Sequence, residues 1–421
     1  MKVKRRDFMC LCCALPIAAA LARAGEARAA EEALRETASA ATTPLPASLA
    51  RHELVAAAWE GLDPSRVWDA HAHLIGTGDS GGGAYVDPRT SSWLHPVERV
   101  RRWVMMSAAG VDEGQRVDAQ YIERLHSLLS AMPAGFRMCL FAFDAAVDEQ
   151  GREAREETTF FTPNEYAAAV MQRFPERFEW VASVHPYRPD AIERLERVAR
   201  QGARAIKWLP SAMNIDPSAV RCDPFYARLA ALGLPLIVHC GEEFAAPGAR
   251  KGAFNNPLLL RRPLEAGVRV IVAHAASLGG ALDLDRGRNA PAVPAFDLFA
   301  RLMDDVRYER HLFADVSAVF QRNRDVAVMK QLLRREAWHA RLLQGSDYPL
   351  PGIRFVYAFD RLVEAGLLQH AAADVLQQIR AHNPLLFEFV LKRTIADGHQ
   401  RFSTAVFHTR DHLDRAPISA A

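Results

Sequence analysis

Two histidines that lie two residues apart are the first sign of chemistry in this chain. His71 and His73 end the segment that begins at Val67. On a β-strand, residues i and i+2 point to the same side, so one strand can offer both imidazoles to one ion. Neutral imidazole is the commonest protein ligand for divalent transition metals. This spacing alone has little specificity, but it predicts that the two histidines are ligands of one metal ion.

Later residues repeat this placement, each at the C-terminal end of an apolar run: Lys207, His239, His274 and Asp347. A barrel of parallel strands keeps its chemistry at the C-terminal ends of its strands. The repeated placement therefore predicts that these side chains meet in one cavity. His185 ends another run and is a further candidate for metal bridging or substrate binding, with a structural role as the alternative.

The elements that would position these side chains are short β-type runs. Eight can be counted: Val67–Leu74, Phe136–Phe143, Trp180–His185, Ala203–Leu209, Leu234–His239, Val268–His274, Leu312–Val316 and Leu342–Gly345. Helical patterns separate most of them, as in the stretch that begins at Asp223-Pro224 and ends at Gly233. The alternation predicts an α/β fold, a TIM-like (β/α)8 barrel. A doubly wound open sheet is the rival, but no Gly-x-Gly-x-x-Gly turn follows a strand to support it.

The N-terminus has the pattern of an export signal. Lys4-Arg5-Arg6 precedes an apolar stretch from Cys10 to Leu21, and small-residue cleavage patterns follow. The stretch is shorter than the roughly 20 residues that span a bilayer, although an uncleaved anchor is the alternative. We expect a twin-arginine signal peptide over residues 1–29 and a periplasmic or secreted protein with no stable membrane span after cleavage.

The rest of the chain divides into four segments. We expect a linker and one N-terminal helix over residues 30–65, with the helix around Pro46–Glu60, and the barrel over residues 66–352. C-terminal helices packed on the barrel follow over residues 353–400, and a weakly ordered tail occupies residues 401–421. A formal net charge of +2 with scattered basic residues gives no electrostatic case for nucleic acid. Outside the signal, Cys139, Cys222 and Cys240 are too few and odd in number for a disulfide framework.

These motifs resemble the amidohydrolase superfamily, and more closely its amidohydrolase-related branch (amidohydrolase 2). The resemblance lies in Asp69-Ala70-His71-Ala72-His73, in the fifth- and sixth-run histidines, and in Gly345-Ser346-Asp347-Tyr348-Pro349. It covers roughly Arg66 to Asn383-Pro384. It implies a metal-bearing barrel that hydrolyses C–N or C–O bonds, or in one subgroup decarboxylates acids. The ligands it implies are His71, His73, His239 and Asp347, with Asp347 as the general base and His274 as a further ligand or acid–base group.

Three histidines and a carboxylate suit zinc or a similar divalent ion with one open position. Such an ion lowers the pKa of a coordinated water to about 7. Lys207 bears on the number of ions: a carbamylated lysine would bridge two, whereas a plain lysine would lie near the metal or substrate, or extend out of the barrel. One ion is favoured over two. Asp69 is expected to orient a ligand histidine from behind.

The sequence thus predicts an exported, metal-dependent hydrolase that acts on a small amide, ester or lactone through a metal-activated water, with Asp347 as general base. A metal-dependent decarboxylase is the first alternative, because the same ligands serve both reactions. A barrel that only binds a ligand is the second. The expected partner is a small-molecule substrate, and the sequence leaves open whether the chain forms homo-oligomers.

Overall fold

A computed structural model describes residues 44–112, 114–243, 252–287 and 289–415. The signal peptide expected over residues 1–29, residues 30–43 of the expected linker and residues 416–421 of the expected tail lie outside these residues. Within the described part of the chain, no helix is both long enough and apolar enough to cross a membrane. Cys139, Cys222 and Cys240 are buried, and none of them forms a disulfide.

Eight short parallel strands form the centre of the molecule. Seven lie within the predicted runs, and the third begins at Phe178 and overlaps its run, Trp180–His185, by two residues. The strands are β1 (Trp68–His73), β2 (Arg137–Phe141), β3 (Phe178–Val181), β4 (Ile206–Trp208), β5 (Leu236–His239), β6 (Val270–Ala273), β7 (Leu312–Asp315) and β8 (Leu342–Leu343). Their residues are almost all buried, because a parallel sheet with its two faces covered excludes water from both. This explains why the runs read as continuous apolar stretches rather than alternating ones.

The strands close into a ring. β1, β2 and β3 pair in parallel, and so do β4 to β8 in chain order. A bridge between Ala182 and Ile206 joins β3 to β4. The ring closes where Ala70 donates its backbone N–H to Gln344 at 3.0 Å. The predicted (β/α)8 barrel is confirmed, and the open sheet is excluded because β8 returns to β1.

Helices surround the ring. They are α1 (Ala47–Ala50), α2 (Glu53–Ala58), α3 (Pro96–Ala109), α4 (Val117–Leu129), α5 (Asn164–Arg173), α6 (Ala191–Arg200), α7 (Pro210–Met213), α8 (Asp223–Leu232), α9 (Arg261–Glu265), α10 (Ala295–Met303), α11 (Val326–Arg334), α12 (Phe359–Glu364), α13 (His370–His382), α14 (Pro384–Thr394) and α15 (Arg410–Leu413). The single helix expected around Pro46–Glu60 is two, because the chain turns at His52, whose ring caps Leu54 N–H at 3.2 Å.

Residues 408–415, part of the segment expected to be a weakly ordered tail, pack under the barrel. Leu413 is fully buried among the side chains that fill the ring. The Thr409 hydroxyl accepts a hydrogen bond from Trp68 N–H at 2.7 Å, at the start of β1. Asp414 pairs with Arg204 at 2.8 Å, just before β4. Residues 408–415 therefore seal the N-terminal end of the barrel. Their polar, non-periodic sequence does not predict this, because the bonds that hold them go to residues far away in the chain.

Two features brace the opposite, C-terminal end. Asp118, at the start of α4, accepts hydrogen bonds from Thr77 N–H and from the Ser80 hydroxyl, each at 2.6 Å, and so ties down the glycine-rich loop after β1. On α14, the buried Lys392 ammonium donates to Gly345 O at 2.6 Å and pairs with Glu388 at 2.9 Å. The backbone that leads into Asp347 is therefore held from behind.

Candidate metal centre and active site

The ends of β1 and β8 bring two imidazoles to one carboxylate. His71 is fully buried, and the His73 side chain is 29% exposed at the mouth. Their Nε2 atoms lie 3.4 and 3.2 Å from the same oxygen, Oδ1 of Asp347. The pairing of β1 with β2 shifts register between Asp69 and Ala72, an irregularity that is common beside active sites.

This donor set fits a divalent ion. Two atoms that each lie about 2.0–2.2 Å from a tetrahedral ion are about 3.3–3.6 Å apart. The distances from Asp347 Oδ1 to the two Nε2 atoms, 3.4 and 3.2 Å, match or nearly match this range. His71, His73 and Asp347 form a group whose ligand atoms all lie within 4.8 Å of one another. The structure thus brings together three of the four ligands implied by the resemblance.

A carboxylate that the sequence did not single out fixes the orientation of His71. Asp315, the last residue of β7, lies 2.9 Å from His71 Nδ1 through its Oδ2. A ring nitrogen that donates to a carboxylate leaves the other nitrogen free for a metal. His71, His274 and Asp315 also form a close group. The hydrogen-bond distance between His71 and Asp315 identifies Asp315 as the support of the histidine rather than as a second site.

His274 lies on the other side of the centre. Its ring stacks on that of His71 with centroids 4.8 Å apart, and its Nδ1 lies 2.8 Å from the Ser317 hydroxyl. Its Nε2 lies 3.8 Å from Asp347 Oδ2. His274 and Asp347 both have left-handed backbones, with φ of 55° and 59°. A left-handed backbone is strained in residues other than glycine, and such strain is found preferentially at functional sites. The side chains of His274 and Asp347 therefore take positions that an ordinary strand end would not give them.

His239 lies beside this group but outside it. Its ring centroid is 5.5 Å from that of His274, and its Nδ1 lies 3.4 Å from Glu243 Oε2. It belongs to neither of the groups with mutually close ligand atoms among the described residues. Its implied role as a metal ligand therefore stays a prediction.

Burial sets the protonation of the cluster. It lowers the pKa of His71 and of His274 well below the usual value, and the positive charge of Lys207 adds to the effect on His71. Burial also lowers the pKa of His239, against the charge of Glu243. Desolvation penalises the charged imidazolium. His71, His239 and His274 are therefore neutral at physiological pH, the form that binds metals.

Lys207 projects into the barrel. It is fully buried, and its Nζ lies 3.5 Å from His71 Nε2. Burial lowers its pKa, against the negative charges of Asp315 and Asp347. A lysine that extends out of the barrel is thereby excluded, which leaves a plain amine beside the centre or a carbamylated one.

Asp69 and His185 both form hydrogen bonds to the backbone and have structural roles. The Asp69 carboxylate accepts hydrogen bonds from Ser346 N–H at 2.8 Å and His71 N–H at 3.1 Å, so it joins the ends of β1 and β8 and reaches the backbone of His71 rather than its ring. Burial raises its pKa to about 6.

His185 Nε2 lies 2.6 Å from Met213 O, and its Nδ1 accepts from Tyr187 N–H at 3.2 Å. Both ring nitrogens are therefore occupied, and His185 does not join the centre.

Comparison with known proteins gives one family match and several similar solved structures. The amidohydrolase family model matches residues 68–387. Similar solved structures include an uncharacterised TIM-barrel protein from Bordetella bronchiseptica (16% identity over 74% of this chain and 98% of that one, TM-score 0.44). They also include a putative 2-pyrone-4,6-dicarboxylic acid hydrolase from Pseudomonas putida (18%, 78% and 99%, TM-score 0.40) and a 2,6-dihydroxybenzoate decarboxylase from Rhizobium (15%, 76% and 97%, TM-score 0.39). A search of curated proteins gave no match. Because the family model spans well over half of its length, the chain belongs to the amidohydrolase family.

Proposed function

We propose that this chain is a metal-dependent hydrolase of small amides, esters or lactones that carries one divalent ion, zinc being the best fit to its donors. One observation carries the proposal: His71 and His73 Nε2 converge on one oxygen of Asp347 while Asp315 holds the far nitrogen of His71. A carboxylate–histidine–metal arrangement with further open positions is typical of catalytic rather than structural ions.

In the proposed reaction, His71, His73 and Asp347 would hold the ion, and His239 and His274 lie beside these ligands. A divalent ion supplies Lewis acidity there, which makes water a nucleophile at neutral pH and polarises a carbonyl. Asp347 accepts the proton of the attacking water and returns it to the leaving group. His274 Nε2, 3.8 Å from Asp347 Oδ2, is placed to share that proton through a small shift or one bridging water.

The test combines metal analysis with one substitution. We expect protein purified without chelators to contain one equivalent of metal and to hydrolyse members of an amide, ester and lactone panel. Asp347→Asn keeps an oxygen donor and both histidines, so it should retain metal but lose about 10²–10⁴-fold in turnover, the usual contribution of a general base. Asp297→Asn, on the exposed face of α10, is the matched control and should keep full activity.

Two results would overturn the proposal. Full activity of Asp347→Asn would remove the carboxylate from the chemistry. Release of carbon dioxide from aromatic or related acids, with no hydrolysis across the panel, would establish the decarboxylase that uses the same ligands. Export to the periplasm or the exterior is part of the proposal, and the cell fraction in which the active protein accumulates tests it.

A further inference from the structure

A buried arginine whose guanidinium has no partner among the described residues lies on the loop after β7, at the C-terminal rim of the barrel. Arg324 follows β7, and only 6% of its surface is exposed. Its Nε is buried with no hydrogen-bond partner. Within the described ranges, its guanidinium forms no ion pair or hydrogen bond. On the same loop, the buried Gln321 Nε2 also lacks a partner.

The guanidinium is within electrostatic reach of the site. The charges of Asp347, Glu243 and Asp315 act on Arg324, in that order among the carboxylates. In return, its positive charge helps to lower the pKa of His239 and of His274, after the larger effect of burial. Arg324 also lies on the loop that follows Asp315, the residue that contacts His71, so it belongs to the same rim as the candidate metal ligands.

Arg188, another buried arginine, has a structural role and is paired with carboxylates. Arg188, 8% exposed, donates to Asp144 through Nη2 at 2.7 Å and Nε at 3.0 Å, and Nη2 also pairs with Glu153 at 2.9 Å. Removing a guanidinium from water without such partners is unfavourable. Burial lowers the pKa of Arg324 only to about 10, so the group stays charged at neutral pH. The charged guanidinium of Arg324 therefore lacks a negative partner within the described chain. An anion that binds from outside the chain would supply one.

We propose that Arg324 binds a carboxylate of the substrate, so that the enzyme prefers substrates that carry an acid group next to the bond they present to the metal centre. Arginine matches carboxylates because its planar fork can donate two parallel hydrogen bonds. This inference depends on the proposed function, because it names the class of substrate that the proposed active site would bind. Binding itself can be measured without turnover.

The experiment uses metal-loaded protein and probes that are not hydrolysed under the assay conditions. Acetate, benzoate and succinate are each titrated against the corresponding neutral amide by calorimetry, with metal content checked in every sample. The variants are Arg324→Met and the control Arg322→Met, which removes an exposed arginine from the same loop. Unfolding temperatures are recorded with and without each probe.

We expect wild type and Arg322→Met to bind at least one carboxylate about tenfold or more tightly than its amide, a difference of about 1.4 kcal/mol. Arg324→Met should lose that preference. It should also unfold at the same or a higher temperature without ligand, because a buried unpaired charge has been removed. A preference retained in Arg324→Met would show that the metal centre alone holds the acid and would overturn the inference.

Absence of any carboxylate preference in wild type would also overturn it, as would an Arg324→Met variant that unfolds several degrees lower, since the side chain would then be structural. Failure of the hydrolase proposal is recognised separately. In that case no member of the hydrolysis panel turns over, while the difference in carboxylate binding between wild type and Arg324→Met persists.

Discussion

Replacement of Asp315 by Asn tests whether this carboxylate makes His71 a metal ligand. The Oδ1 of Asp315 accepts hydrogen bonds from His274 N–H and Ser317 N–H, each at 3.1 Å, and from the Ser317 hydroxyl. Its Oδ2 alone faces His71 Nδ1, at 2.9 Å. An asparagine that keeps the three bonds to its oxygen must direct its NH2 group at His71. The opposite orientation would leave buried donors unsatisfied.

The consequence is a change of tautomer. An amide NH2 can only donate, so His71 Nδ1 must accept and the ring proton moves to Nε2, the atom 3.4 Å from Asp347 Oδ1. That nitrogen then has no lone pair for a metal. Loss of a carboxylate behind a ligand histidine typically weakens metal binding 10- to 100-fold. Because the substitution here also opposes the correct tautomer, we expect about 100-fold, or about 2.7 kcal/mol.

Competition with a chromogenic chelator measures the effect on zinc affinity. Asp297→Asn makes the same chemical change on an exposed helix face and should bind zinc as wild type does. The circular dichroism spectrum of Asp315→Asn should match that of wild type. A zinc affinity within about threefold of wild type would refute the reasoning, because Asp315 would then have no role in presenting the His71 lone pair.

Two further predictions concern stability. Burial lowers the pKa of His185 to about 4, so between about pH 6.5 and 4 the unfolded state binds more protons. His185 alone should therefore contribute a fall of about 3 kcal/mol in the free energy of unfolding as pH drops through this range. Urea titrations of His185→Gln should lack this component, whereas those of the exposed His370→Gln should keep it. Leu413→Ala should cost about 2–5 kcal/mol by leaving a cavity in the barrel, against little change for Leu282→Ala, whose side chain is 42% exposed; equal effects would show that the chain end is not part of the core.

The fold was predictable because its signals are local. Each barrel strand is buried on both faces, and the sequence records this as a short apolar run that any reader can count. The convergence of His71, His73 and Asp347 followed from the same topology, since parallel strands place their C-terminal ends on one rim.

The remaining features depend on distances that a linear sequence does not contain. Asp315 is an acid at the end of a strand like many others, and it matters because it meets a ring 244 residues away in the chain. Arg324 is informative only through the partners it lacks. His185 shares the placement of the other histidines, yet Met213 O and Tyr187 N–H occupy its ring. A position at the end of a strand therefore identifies a candidate site residue. Its contacts in the folded protein determine whether it has a role in the site.

The seal formed by residues 408–415 has a consequence for biosynthesis. A ribosome releases the chain from its first residue to its last, so all eight strands are made before Leu413 enters the ring and Thr409 reaches Trp68. A nascent chain that lacks these residues has a complete circle of strands with an open floor. Any product that ends before Thr409 therefore lacks the floor of the barrel, even when its circle of strands is complete.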